Sequence, residues 1–124
     1  MDLIRIPATD TTPFVLLDPS NQRIEMVGRS IPEDAAAFYF PILDWLDKYI
    51  ANSPGKTHFE FYLEYINSIS QKMLIDIFLR AAKLRESGKE IEIVWNYDEE
   101  DEEIYDEGMM FKQKLNLPVT FKSR

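Results

Sequence analysis

The spacing of apolar residues divides the chain into short alternating runs and longer helical stripes. Leu3–Ile6 alternates and then meets Pro7, which removes a ladder donor, so it reads as a short edge strand. Phe14–Leu17 and Arg23–Gly28 flank the turn cluster Asp18-Pro19-Ser20-Asn21 and predict a hairpin. Apolar residues then recur at helical spacing at Ala35, Phe38, Tyr39, Ile42, Leu43, Leu46, Tyr49 and Ile50. Ahead of them, Ser30 and Glu33 fit a reciprocal capping box, with Pro32 in the first turn, where a missing amide costs nothing. Pro41 lies inside the stripe and predicts a kink or a split near residue 40, because its ring clashes with the preceding turn. Asn52-Ser53-Pro54-Gly55 ends this helix.

Thr57–Ile66 alternates again, with Phe59, Phe61, Leu63 and Tyr65 on one face and His58, Glu60, Tyr62 and Glu64 on the other. That is the pattern of a half-buried strand. The stripe Ile69, Met73, Leu74, Ile77, Phe78, Ala81 and Leu84 predicts a second helix over Gln71–Leu84, closed by Ser87-Gly88. Glu90–Tyr97 is a further strand. Ile104, Phe111 and Leu115 give a weaker third helix, against which the interior Gly108 counts, and Pro118–Phe121 is a last short strand. A strand, a helix and a second strand in succession make a right-handed crossover between parallel strands. The expected architecture is therefore α/β (α+β): one domain over residues 1–124, a mixed sheet of about five to six strands with three helices on it.

Composition narrows what such a domain does. Apolar residues make up 45% of the 124 and aromatics 13%, enough for a real core. The net charge of −8 argues against nucleic acid and anionic membranes as partners, since both demand concentrated Lys and Arg. The absence of cysteine removes disulfide, thiolate and Cys-zinc chemistry, and a single histidine removes a His-rich metal centre. No apolar run approaches the ~20 residues of a membrane span, and the N-terminus lacks the basic and apolar regions of a signal peptide. The expectation is a cytoplasmic protein with no metal or other cofactor.

Candidate chemistry falls at the carboxyl ends of the strands, where open parallel sheets meet ligands and partners. One end is Asn67-Ser68-Ile69-Ser70; the other is Asn96-Tyr97-Asp98, leading into Asp98–Glu107, where eight of ten residues are acidic. If the two strands pair in parallel, these segments lie side by side. Ser68 reads in two ways. With Gln71 it fits a capping box, a plain helix start. As a phosphoacceptor it would place a charge of about −1.5 to −2 at the positive end of a helix. Ser70 is the second candidate acceptor and Thr57 the third. Asn67, Ser68, Ile69, Ser70, Tyr97, Asp98, Glu99 and Asp101 then make a candidate partner-binding surface. The acidic run Asp98–Glu103 also allows a rival reading, a small metal-dependent hydrolase using Asp98, Glu99 and Asp101, although the run lacks the order of an EF-hand loop. Glu60 and Glu64 share a strand face with His58 but stand roughly 13 Å apart by strand rise, too far for one substrate. Trp45, Trp95 and the methionines at 26, 73, 109 and 110 read as packing.

Several ordered fragments carry a resemblance to a known family. They are Thr12-Pro13, G-R-S-x-P-E-D at Gly28–Asp34, F-Y-x-P-x-L-x-W-L at Phe38–Leu46, L-E-Y-I-N-S-I-S at Leu63–Ser70, and W-x-Y-D-E-x-D-E at Trp95–Glu102. Over nearly its whole length the chain resembles the SiaC family of bacterial regulatory phosphoproteins, whose fold is similar to STAS domains and anti-sigma-factor antagonists. The resemblance implies a non-enzymatic partner-switching protein with Ser68, the hydroxyl residue after the asparagine, as the phosphorylated position; some relatives carry threonine there. It implies a cognate kinase, a PP2C-type phosphatase, and an effector engaged by the unmodified form, in some relatives a diguanylate cyclase. A constitutive adaptor without any modification is the plainer alternative.

Overall fold

The structure, a computed structural model, describes residues 1–52 and 54–124; Ser53, in the expected terminator of the first helix, lies outside the described residues. Six strands form one sheet in chain order, β1 (Ile4–Ile6), β2 (Phe14–Asp18), β3 (Arg23–Ser30), β4 (Thr57–Ile66), β5 (Ile91–Tyr97) and β6 (Val119–Ser123). The first two pairings are antiparallel and the last three parallel, each parallel pair bridged by a helix: α1 (Ala35–Ala51), α2 (Ser68–Glu86) or α3 (Glu102–Leu115). This is the mixed α/β sheet with three helices that the periodicities predict. The β2–β3 turn closes because the Asp18 carboxylate accepts the amides of Ser20 and Asn21, both at 3.1 Å.

Alternation decides which face of each strand meets the helices. Phe59, Phe61 and Leu63 of β4 and Ile93 and Trp95 of β5 are buried in the core with Tyr39, Leu46, Phe78 and Phe111 from the helices. Trp95 sits at its centre, with Phe61, Phe78 and Phe111 all within 6.2 Å between ring centroids. Its indole N–H donates to the Ile104 carbonyl at 2.8 Å. Gly108 is what allows that approach: a Cβ there would stand 2.5 Å from the indole. The glycine that weakens the helical pattern in sequence is the one that docks α3 on the sheet.

Three local expectations are corrected. Ser30 does not cap α1; it is the buried last residue of β3, and Asp34 caps the helix by accepting the Ala37 amide at 3.1 Å. Pro32 accordingly precedes the helix, which starts at Ala35. Pro41 does not split α1, which runs unbroken through it; Pro41 and Ala37 are both exposed, so the carbonyl deprived of a donor is on the water side. Tyr65 does not continue the core face of β4. The β3–β4 register steps from Gly28↔Leu63 to Ser30↔Ile66, so Glu64 and Tyr65 together oppose the single residue Arg29. This bulge breaks the alternation and leaves Tyr65 56% exposed.

Candidate functional site

Parallel pairing of β4 with β5 puts their carboxyl ends at the same edge of the sheet, beside the starts of α2 and α3. Helix α2 begins earlier than the apolar stripe indicates. Its cap is Asn67, whose Oδ1 accepts the Ser70 amide at 3.0 Å and whose carbonyl accepts the Gln71 amide at 2.9 Å. Ser68 is thus the first helical residue, exposed, with its hydroxyl relieved of the capping role. The capping box with Gln71 does not form either. Gln71 Nε2 instead donates to both oxygens of Glu107, at 3.0 and 2.8 Å, tying α2 to α3.

The other two candidate hydroxyls are enclosed. Ser70 is fully buried; its Oγ donates to the Ser30 carbonyl at 2.9 Å and accepts from Ser30 Oγ at 2.8 Å. With both serine protons so placed, the hydroxyl of buried Tyr39 must be the donor in its bond to Ser30 Oγ. Burial pushes the Tyr39 phenol up from its ordinary pKa, more than the two serine hydroxyls lower it, which keeps that proton in place. Thr57 is buried at the opposite end of β4, where its Oγ1 meets Tyr49 Oη at 2.7 Å and the Gly55 carbonyl at 3.2 Å. Of the three, Ser68 alone faces solvent.

The residues after β5 separate into different tasks. Asp98 accepts the Tyr62 hydroxyl, and this bond pushes the Tyr62 phenol up. Tyr62 alternates with the core residues Phe61 and Leu63, so Asp98 belongs with it to the helix-free face of the sheet, where Arg124 lies over the Tyr62 ring at 5.0 Å. Tyr97 packs edge-on against Tyr105 at 5.0 Å, and Glu99 is exposed. Asp101 caps α3 through the Ile104 amide at 3.1 Å. Among the described residues no three His, Asp or Glu side chains converge as metal ligands.

A groove of about 460 Å³ opens at this edge, lined by Arg29, Ile31, Glu64, Tyr65, Ile66, Asn67, Asp101, Glu103, Ile104 and Glu107. Of the candidate surface it brings together Asn67 and Asp101, whereas Ser68, Ile69, Ser70, Tyr97, Asp98 and Glu99 are not among its lining residues. Two of its apolar lining side chains stand open, Tyr65 and Ile31 at 37% exposure, and Ile69 of α2, two residues after the lining Asn67, is 40% exposed. Four carboxylates share the groove with Arg29, the one cation among its described lining residues. Arg29 Nε is 3.5 Å from Glu64, and its guanidinium is 5.5 Å from the centre of the Tyr65 ring. Reading the sequence misses Arg29, Ile31, Tyr65 and Glu107 as site residues. Arg29 stands in the G-R-S-x-P-E-D fragment, but the bulge that aims it has no sequence signal.

A mixed α/β domain with an acidic, partly apolar groove next to an exposed serine at a helix start has the form of an interaction module. The family model described as SiaC family regulatory phosphoprotein matches residues 6–124, and the chain belongs to that family. A protein of Pseudomonas aeruginosa strain UCBPP-PA14 is 24% identical over 123 residues, covering 99% of this chain and 98% of its own length. The crystal structure of apo-SiaC from Pseudomonas aeruginosa superposes with a TM-score of 0.91 at 24% identity, over 99% of this chain and 100% of that one. SiaC in the crystal structure of the diguanylate cyclase SiaD in complex with its activator SiaC, also from Pseudomonas aeruginosa, gives 0.92 at 24% identity, over 98% and 99%.

Proposed function

We propose that this chain is a non-enzymatic switch protein whose Ser68 is phosphorylated by a cognate kinase and dephosphorylated by a PP2C-type phosphatase. In this reading the unmodified form docks and regulates an effector, a diguanylate cyclase, in the cytoplasm. The observation that carries it is the placement of Ser68: exposed, freed from capping by Asn67, and next in the chain to Asn67, which lines a groove with open apolar side chains. The family description as regulatory phosphoproteins supports a modified hydroxyl, and the solved complex of SiaC with SiaD supports a cyclase as the class of effector. A phosphate inside a protein interface leaves a buried charge to be compensated, which costs several kcal/mol. Since each ~1.4 kcal/mol is tenfold in affinity, a phosphate left uncompensated in the interface suffices to release a partner.

Two measurements test this. Intact-mass analysis with peptide mapping on protein from its native host should find one phosphoryl group on Ser68, absent from Ser68→Ala. A diguanylate cyclase of the same host should respond to the wild type and to Ser68→Ala but not to Ser68→Asp. Protein unmodified under every growth condition would leave a constitutive adaptor. An equal cyclase response to the Ala and Asp variants would overturn the switch.

A further inference from the structure

A phosphate on Ser68 would enter an unfavourable field. The groove beside it carries Glu64, Asp101, Glu103 and Glu107. Of the free amides at the helix start, that of Ser70 is already taken by the Asn67 side chain. Repulsion by the phosphate does not release a basic partner. An acidic groove favours a basic partner, and two more negative charges would strengthen that attraction. If phosphate is to release the partner, something other than repulsion must act.

Arg29 is placed to act. The strand that carries it is bonded directly to the turn that carries Ser68, since the Ser30 carbonyl accepts the Asn67 amide at 3.1 Å and the Ser70 hydroxyl at 2.9 Å. The β4 bulge sets Glu64 and Tyr65 opposite it, and both Arg29 and Asn67 line the groove. Its present partners hold it weakly. The pair with Glu64 is long, with side-chain exposures of 47% and 58%, and the contact with Tyr65 is to an exposed ring. A phosphate dianion is a stronger partner, because the guanidinium fork meets two of its oxygens at once.

We propose that Arg29 reads the modification: its guanidinium leaves Glu64 and Tyr65, takes the Ser68 phosphate, and lies across the groove. This rests on Ser68 being the acceptor. The phosphate thereby draws the groove's one described lining cation away from Glu64 and Tyr65, so that a partner meets a different face in the two forms.

The test uses full-length protein with phosphoserine encoded at position 68 during synthesis, so no kinase enters. Phosphorus NMR follows the second ionisation of the phosphate in the wild type, Arg29→Gln and Arg29→Lys. An arginine within ion-pair distance should hold the midpoint about one pH unit below that of Arg29→Gln, with lysine restoring part of the difference. The Arg29 Nε–H resonance should move between unmodified and phosphorylated wild type. Coincident titrations of wild type and Arg29→Gln, with an unmoved Nε–H signal, would overturn the proposal. Neither outcome depends on whether a cell phosphorylates Ser68, which the intact-mass measurement answers separately.

Discussion

Replacing Gly108 by alanine puts one methyl group into the contact between α3 and the sheet. The new Cβ would lie 2.5 Å from Cδ1 and Nε1 of Trp95 and 2.8 Å from Cε2 of Phe121. Carbon atoms rest at about 3.5–4.0 Å, so the indole or the helix must retreat by roughly 1 Å. Trp95 has nowhere to go: it is fully buried, with Phe61, Phe78 and Phe111 against it. Alanine recovers about 1 kcal/mol of helix propensity. Overpacking costs about 1–3 kcal/mol or more, here at the upper end because both partners are rigid rings. Weakening the indole bond to Ile104 adds about 0.5–1.5 kcal/mol. The balance is a net loss of about 1–3 kcal/mol, read as a lower urea midpoint at unchanged slope. A double-mutant cycle sharpens the test. Trp95→Phe replaces the indole, two of whose atoms the methyl strikes, by a smaller ring and leaves only the Phe121 contact unchanged, so the double variant should be more stable than additivity allows, by about 0.5–3 kcal/mol. Gly108→Ala as stable as the wild type, or strict additivity with Trp95→Phe, would refute the reasoning.

Two further predictions concern the helix start and the sheet face. Asn67→Ala should lose about 1 kcal/mol of stability in urea melts while Ser68→Ala loses almost none, because Asn67 and not Ser68 accepts the capping amide; equal losses would contradict the cap assignment. On the helix-free face, burial raises the Glu60 carboxyl, but hydrogen bonds from His58 and Asn96, with the charges of His58 and Arg23, outweigh it and hold the group below its ordinary range. A carboxylate held low in the native state adds stability above its unfolded pKa, and that stability is lost as pH falls through the folded value. Melts from about pH 6 to about pH 3 should therefore show a smaller acid loss for Glu60→Gln than for the wild type, and parallel curves would exclude this coupling.

Much of the fold was legible because periodicity and burial are the same fact seen twice. The run from Thr57 to Leu63 alternates because one face meets helices and the other does not, and the parallel pairing of β4 and β5 followed from the helix between them. Helix starts were less legible. Ser30 and Ser68 both look like caps, since a serine three residues before a Glu or Gln is a local pattern, whereas Asp34 and Asn67 hold the caps in the fold. Gly108 shows the reverse: a local helix-weakener required by a ring that arrives from residue 95.

By itself, the sequence determined the order and kind of the elements, the acidic balance, the exclusion of thiol chemistry, and the short stretch Asn67–Ser70 as the place to look. Each of these depends on composition or on residues near one another in the chain. Only the tertiary structure decided which hydroxyl is open. Ser70 and Thr57 are closed by Ser30, Tyr39 and Tyr49, contacts that chain proximity does not specify. It also decided that the acidic run divides between two faces, Asp98 going to Tyr62 and Asp101 to the groove. The bulge that turns Tyr65 out and sets Arg29 against it is a mismatch in register between two strands, and a register belongs to a pair of strands and to neither sequence alone.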